Sequence, residues 1–312
     1  MDQSTPVSWD EEMVISKINA MRSKEGSSYL FSNYYRPPSP TAASVASAVT
    51  DSRDQRDQPS KKCINVREDL GCREKICQWT YSVIDHFGLS RQTVAISIDI
   101  FDRYFATKGH RCDTDLALLA SLTTLYIAIK LNEKKKIKLS TLARLSRQQF
   151  TAEDIEQMEM EILKTLSWLV HPPTAADFMS HLIDLLQPST SERTRHYIFE
   201  LSRYTSELAV CDPYFIEHHK STIALATILN VLEDEIPFDE LSLECRENYL
   251  VGLTCTFQWF TLNIQAINRC RDRLRHLKWD QQESHMDDLQ KRDRRAKSPD
   301  TTILEHNADL SP

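Results

Sequence analysis

Five glycines in 312 residues (Gly26, Gly71, Gly88, Gly109 and Gly252) are the tightest constraint on what this chain can fold into, since about 7% is typical. They lie far apart, so neither G-x-G-x-x-G nor G-x-x-x-x-G-K-[ST] can be written and no glycine loop cradles a phosphate. A tightly turned sandwich or barrel also needs many left-handed turn positions, which glycine adopts without steric penalty. A mostly helical chain remains. Its length suits one large domain or two of about 100–150 residues.

The charge balance, 38 Lys+Arg against 45 Asp+Glu with a formal net charge of −7, is that of an ordinary globular chain. The eight cysteines contain no C-x-x-C pair, which argues against a structural zinc site; free thiols of this kind read as small buried hydrophobes. The opening Met-Asp-Gln-Ser-Thr has neither the basic nor the apolar region of a secretory signal. The longest apolar stretch, 116–129, carries Ser121, Thr123 and Thr124. It is shorter than a bilayer span and is expected to be a buried core helix. A reducing compartment follows, nucleus and cytoplasm.

The expected architecture is all-α. Residues 1–24 hold an N-terminal amphipathic helix, with Ser8 and Glu11 as a capping box and Val14, Ile18 and Met21 on one face. Residues 25–65 read as a flexible linker rich in Ser, Pro and charge. Apolar periodicity then predicts helices at 67–87, 91–106, 114–131, 138–146 and 152–167, with Asp113 and Thr151 as caps. His171-Pro172-Pro173 forces an extended break, because proline disfavours a helical residue before it. A second helical set is expected at 175–186, 191–209, 214–231, 239–248 and 249–275. Two five-helix units result, 66–171 and 172–277, followed by a disordered basic and polar tail, 278–312.

Five short stretches carry a resemblance. The first long helix contains Cys72-Arg73-Glu74-Lys75-Ile76-Cys77-Gln78-Trp79, and the second contains Asp102-Arg103 within "IDIFDRYFA". The third ends Ala128-Ile129-Lys130-Leu131-Asn132-Glu133, the fifth carries Met158-Glu159, and "HPPTAADFM" opens the second unit. In this order and spacing they resemble the cyclin box, and 66–277 resembles a cyclin with N- and C-terminal boxes.

The resemblance implies roles. Arg73 and Asp102 would form a buried ion pair between the first two helices. Lys130 and Glu159 would be kinase anchors that hydrogen-bond main chain beside the kinase's regulatory helix, a role suited to charge-assisted bonds. Leu131, Leu163 and Trp168 would supply apolar contact around them; the competing reading of Trp168 is a core residue. Cys72, Ile76 and Trp79, at i, i+4 and i+7, would line a substrate-docking groove or else be core. Gln78 and Ser82 stand where the family's best-known members carry acids, which weakens any preference for a basic motif. The partner implied is a cyclin-dependent protein kinase, with kinase substrates at the groove.

No catalytic motif of the metalloprotease or serine-hydrolase type is present, no cofactor is implied, and Glu217-His218-His219 reads as surface histidines rather than a metal site. The function expected is a non-enzymatic regulatory subunit that activates its kinase, in cell-cycle control. The rival is a transcription-related protein with tandem cyclin-like folds, either a transcriptional cyclin or an initiation factor binding nucleic acid. Net negative charge and the missing zinc ribbon count against nucleic acid. In the tail, the run from Lys291 to Lys297 has five bases and one acid and reads as a solvated run or a nuclear-import address.

Overall fold

The computed structural model describes residues 9–30, 34, 63–65, 70–108 and 111–278. The proposed cap Ser8, most of the expected linker and the basic tail lie outside them. The first bundle contains α2 (Leu70–Phe87), α3 (Gln92–Lys108), α4 (Thr114–Asn132), α5 (Leu139–Leu145) and α6 (Ala152–Thr165). The second contains α7 (Ala175–Asp184), α8 (Glu192–Cys211), α9 (Lys220–Asp234), α10 (Leu243–Thr256), α11 (Gln258–Leu262) and α12 at 264–278. The fold is all-α, with one addition. Strands β1 (Cys63–Asn65) and β2 (Arg111–Asp113) pair antiparallel, Cys63 opposite Asp113.

Each bundle is built around a helix buried on every side. In α4 the buried residues run from Ala117 to Ile129 and include Ser121, Thr123 and Thr124. Those hydroxyls donate to backbone carbonyls one turn back, Thr123 to Leu119 at 2.7 Å, so they are buried without an unmet bond. By length and composition α4 is apolar enough to cross a membrane, contrary to the shorter span read from the sequence. Here it lies between α3 and α6 as the hub of the first core. In α9 every residue from Ser221 to Leu232 is buried, and α7 and α8 pack on it.

The first core gathers Tyr34 and side chains between Ile76 and Val170; the second gathers Phe178 to Leu274 together with Ile18. Ile18 comes from α1 (Trp9–Ser27), which packs on α7. Near the end of α1, buried Glu25 accepts from the Ser221 backbone N–H at 3.1 Å and the Ser221 hydroxyl at 2.7 Å. It caps α9, whose own cap residue His219 makes no side-chain capping bond, and a carboxylate is favoured at that end of the helix dipole.

Two expected helices are broken. The single helix expected at 214–231 is a short 3-10 turn, Pro213–Glu217, then extended His218 and His219, then α9. Asp212 caps the turn by accepting from the Tyr214 N–H, and Pro213 sits at its first position, a start signal stronger than the apolar period suggests. The helix expected at 249–275 is interrupted at Phe257, whose extended backbone (φ −119°, ψ 100°) lets its ring bury in the second core. Helix α10 starts at the Ser242 cap rather than at 239.

Candidate functional site

Arg73, on α2, is buried and bidentate to Asp102 on α3: Nε donates to Oδ1 at 2.9 Å and Nη2 to Oδ2 at 2.8 Å. Tyr34 Oη also donates to that carboxylate, at 2.9 Å. The remaining arm of the guanidinium, Nη1, donates to the carbonyls of Val210 at 2.7 Å and Cys211 at 3.2 Å. One side chain therefore joins α2, α3 and the end of α8. Burial opposes its charge, but Asp102 outweighs that, with smaller contributions from Cys77 and Tyr34, and its pKa stands well above the ordinary value.

Lys130 and Glu159 meet on the outer face of the same bundle. Lys130 lies in the last turn of α4, where a cation complements the helix dipole. Its ammonium stands 4.5 Å from the Tyr126 ring centroid, one turn back. Helix α6 begins at Thr151, which exchanges side-chain and backbone bonds with Asp154 in a capping box. Ile155, Met158 and Ile162 face the core, which leaves Glu159 at the edge of the apolar stripe. The Lys130 ammonium and the Glu159 carboxylate form an ion pair; the lysine side chain is 40% exposed and the glutamate 14%.

The turn after α6 frames this pair. Ser167 and Trp168 both have left-handed backbone, φ 51° and 63°, a conformation costing about 1–3 kcal/mol for residues with a Cβ. The turn is held by main-chain bonds, Trp168 N–H to Leu163 O and Leu169 N–H to Leu166 O, both 2.9 Å. From beneath, Arg103 Nη2 donates to Leu169 O at 2.6 Å, and Arg103 is itself fixed by buried Asp99 at 2.8 Å. The result pushes Trp168 out of the bundle: it is 63% exposed, beside Leu169 at 37%, with Leu131 at 50%. Trp168 is not core. Leu163 is, at 9%, because its position in α6 turns it toward the first core; it offers no open surface.

Of the proposed groove residues, Ile76 is buried in the first core, while Cys72 and Trp79 are half-buried against it. Ile76 therefore forms the floor of any groove there, and Cys72 and Trp79 its sides. Gln78, exposed, donates to Glu74 at 3.1 Å. Glu133 also supports the scaffold, accepting from the Ser90 N–H at 3.0 Å and from the Thr93 hydroxyl at the start of α3. Among the described residues no group of three His, Cys, Asp or Glu side chains could hold a metal ion.

Sequence reasoning missed Arg103 and Leu169. The signal for Arg103 was the Asp99 four residues earlier, which places two opposite charges on one face of an apolar helix. Leu169 shows none, since its exposure follows from the left-handed turn.

Tandem all-α bundles with an Arg–Asp pair at their junction and an exposed ionic and apolar face define a tandem helical-bundle protein. Residues 46–171 match the family described as cyclin, N-terminal domain. The chain is 30% identical over 173 residues to cyclin-D3-3 of Arabidopsis thaliana, covering 54% of this chain and 47% of that protein. It is 32% identical over 209 residues to the G1/S-specific cyclin CLN2 of Candida albicans, covering 63% of this chain and 43% of that one. In fold it is similar to the viral cyclin of herpesvirus saimiri, with TM-score 0.52 and 20% identity, covering 66% of this chain and 86% of that one. Over residues 46–171 the chain is thus similar to the cyclin family, and the relatives extend that similarity to more than half of the chain. It spans about half the length, or less, of the curated relatives named here.

Proposed function

We propose that this chain is a cyclin, the regulatory, non-enzymatic subunit of a cyclin-dependent serine/threonine kinase acting in cell-cycle control. The observation that carries the reading is the Lys130–Glu159 pair at an exposed face ringed by Leu131, Trp168 and Leu169. The two charges neutralise one another in the free chain, so on binding they can turn to main-chain groups of a partner without leaving a bare buried ion. Exposed Trp168 and Leu131 supply the apolar anchors that dominate such interfaces. A face that fits the active position of the kinase's regulatory helix better than the inactive one shifts the kinase population toward activity. Relatives with G1/S-specific cyclin names support the cell-cycle role over a transcriptional one. The half-buried Cys72 and Trp79 flanking Ile76 support a shallow docking site for kinase substrates, and the Lys291-to-Lys297 run supports nuclear entry.

The test is the double variant Lys130→Ala/Glu159→Ala. Each truncation at an interface centre costs about 2 kcal/mol or more, so the variant stays folded by circular dichroism and fails to activate its kinase. Normal activation by the folded double variant overturns the assignment. For the tail, a fluorescent fusion ending at Asp280 spreads into the cytoplasm; unchanged nuclear enrichment, with the kinase partner depleted, removes that role.

A further inference from the structure

Ile18 seats the middle of the N-terminal helix in the second core. Ahead of it, the first turns of α1 face the end of α7, the start of α8 and one side of α10 across a cleft of about 850 Å³, within the size range of ligand clefts. The floor is apolar: Leu186, Tyr249 and Leu253 are buried, and Val14 and Leu185 are half-buried. Helix α10 adds Gly252, where a Cβ would meet no atom within 4 Å. Glycine is a poor helix residue, and here it leaves bare backbone facing the cleft.

The rim is acidic. Asp10 and Glu11 come from the first turn of α1, Asp184 from the end of α7 and Glu192 from the start of α8. The Asp184 side chain is 54% exposed and that of Glu192 97%. Arg195 also borders the cleft, but its guanidinium is directed at the carbonyls of Ile183, Leu186 and Gln187, at 2.7, 2.7 and 2.8 Å, and stands 3.9 Å from Glu192. On the α1 wall the cation is Lys17.

We propose that this cleft is the docking site of the chain's own segment 286–297. The proposal is independent of the kinase reading, and two observations select this occupant. The first is charge and apolar complementarity. Met286 and Leu289 match the floor, and the five bases between Lys291 and Lys297 match the four rim acids. Asp287 and Asp288 match Lys17. The second is reach. The described chain ends at Lys278, which is ion-paired with Glu235. Next to Glu235, the Ile236 carbonyl accepts from Arg246 Nη2 at 2.5 Å, and Arg246 lies on α10 just ahead of the cleft residues Asn248 and Tyr249. From Lys278 to Met286 the chain spans up to about 27 Å, so the segment starts close to the wall it docks on. Rim ion pairs in water are individually weak. A short tether compensates, because it holds the segment at a local concentration in about the millimolar range.

The full chain is treated at low salt with a carbodiimide, which joins lysine amines to carboxylates in direct contact, and the monomer fraction is mapped by mass spectrometry. Lys291 or Lys297 is expected to link to Asp10, Glu11, Asp184 or Glu192. Gly252→Trp fills the cleft from a position with open space for a side chain, so these links fall about tenfold or more, as expected where one side chain takes the place of about 1.4 kcal/mol of contact, while the circular dichroism spectrum is unchanged. Asp184→Lys/Glu192→Lys, at exposed positions, abolishes them as well. Adding Lys291→Glu/Arg292→Glu/Arg294→Glu to that pair restores cross-linking with the partners exchanged. Equal linkage to exposed acids elsewhere, such as Glu153 and Glu156 on α6, overturns the proposal. So does linkage that both cleft variants leave unchanged. Links confined to a dimer fraction overturn it in favour of the tail of a second copy.

Discussion

Two of the first bundle's ion pairs share a chemistry in opposite settings. Arg73–Asp102 is shut between α2 and α3, with side-chain exposures of 4% and 3%, and the guanidinium also directs bonds to the end of α8. Lys130–Glu159 sits at the rim, half open to water, on helices whose other residues already belong to the core. The difference is one of substitutability. Water can replace either partner of the rim pair, whereas nothing can replace a partner of the buried one. An arginine suits the buried site because its planar fork serves several acceptors at once, and a lysine suits the rim because one mobile charge can be re-aimed.

That contrast breaks most visibly at Arg73. Arg73→Ala is expected to destabilise the chain by about 3–5 kcal/mol, since Asp102 is left buried and unpaired. Urea unfolding measures it. A loss below about 1 kcal/mol would mean that the pair behaves like the rim pair and that the contrast is false.

Trp79→Ala comes next. A fully buried tryptophan truncated to alanine costs about 3–5 kcal/mol. Trp79 is half-buried, so about 2 kcal/mol is expected, together with a raised KM for a docking-dependent substrate and no change for a short peptide. The full core cost with no KM effect assigns Trp79 to packing alone.

A third expectation concerns pH. His218 and His219 are held below their ordinary 6.5, chiefly by burial; Glu217 pulls His218 upward, Glu25 pulls His219 upward, and Arg269, Arg22 and Lys220 push the other way. A base whose folded pKa is depressed takes up its proton more readily when unfolded. Stability is therefore full above about pH 6.5 and falls as pH drops from there toward the depressed values. Melting curves between pH 7.5 and pH 5.5 (about one unit on either side of an unperturbed histidine) check this, and the His218→Gln/His219→Gln variant should flatten the slope.

The smallest expected change is the most discriminating. Lys130→Ala and Glu159→Ala should each alter unfolding free energy by about 0.5 kcal/mol or less. A loss of several kcal/mol would make the rim pair part of the scaffold and turn any defect in kinase activation into a folding effect.

The scaffold was legible where its cause is local. Thr151 with Asp154 announces α6, the apolar run announces α4, and Pro172-Pro173 marks the joint between bundles. Features set by distant partners were not. Nothing near Arg73 in the chain tells that its third set of bonds goes to Val210 and Cys211, more than 130 positions away. The burial of Leu163 and Ile76 depends on the rotation of whole helices against the core, which apolar spacing alone leaves undecided between floor and surface. The strands β1 and β2, three residues each, are too short for any alternation to show.

The N-terminal helix carries a consequence for synthesis. It precedes the first bundle in the chain, yet Ile18 belongs to the second core and Glu25 caps α9. A ribosome adding about 5–20 residues per second needs roughly 10–40 s to move from α1 to the end of α9. For that interval the first bundle can close while the helix made before it has nowhere to dock. A segment made before the first bundle is therefore placed after it, and the second bundle is finished by a piece synthesised ahead of the first.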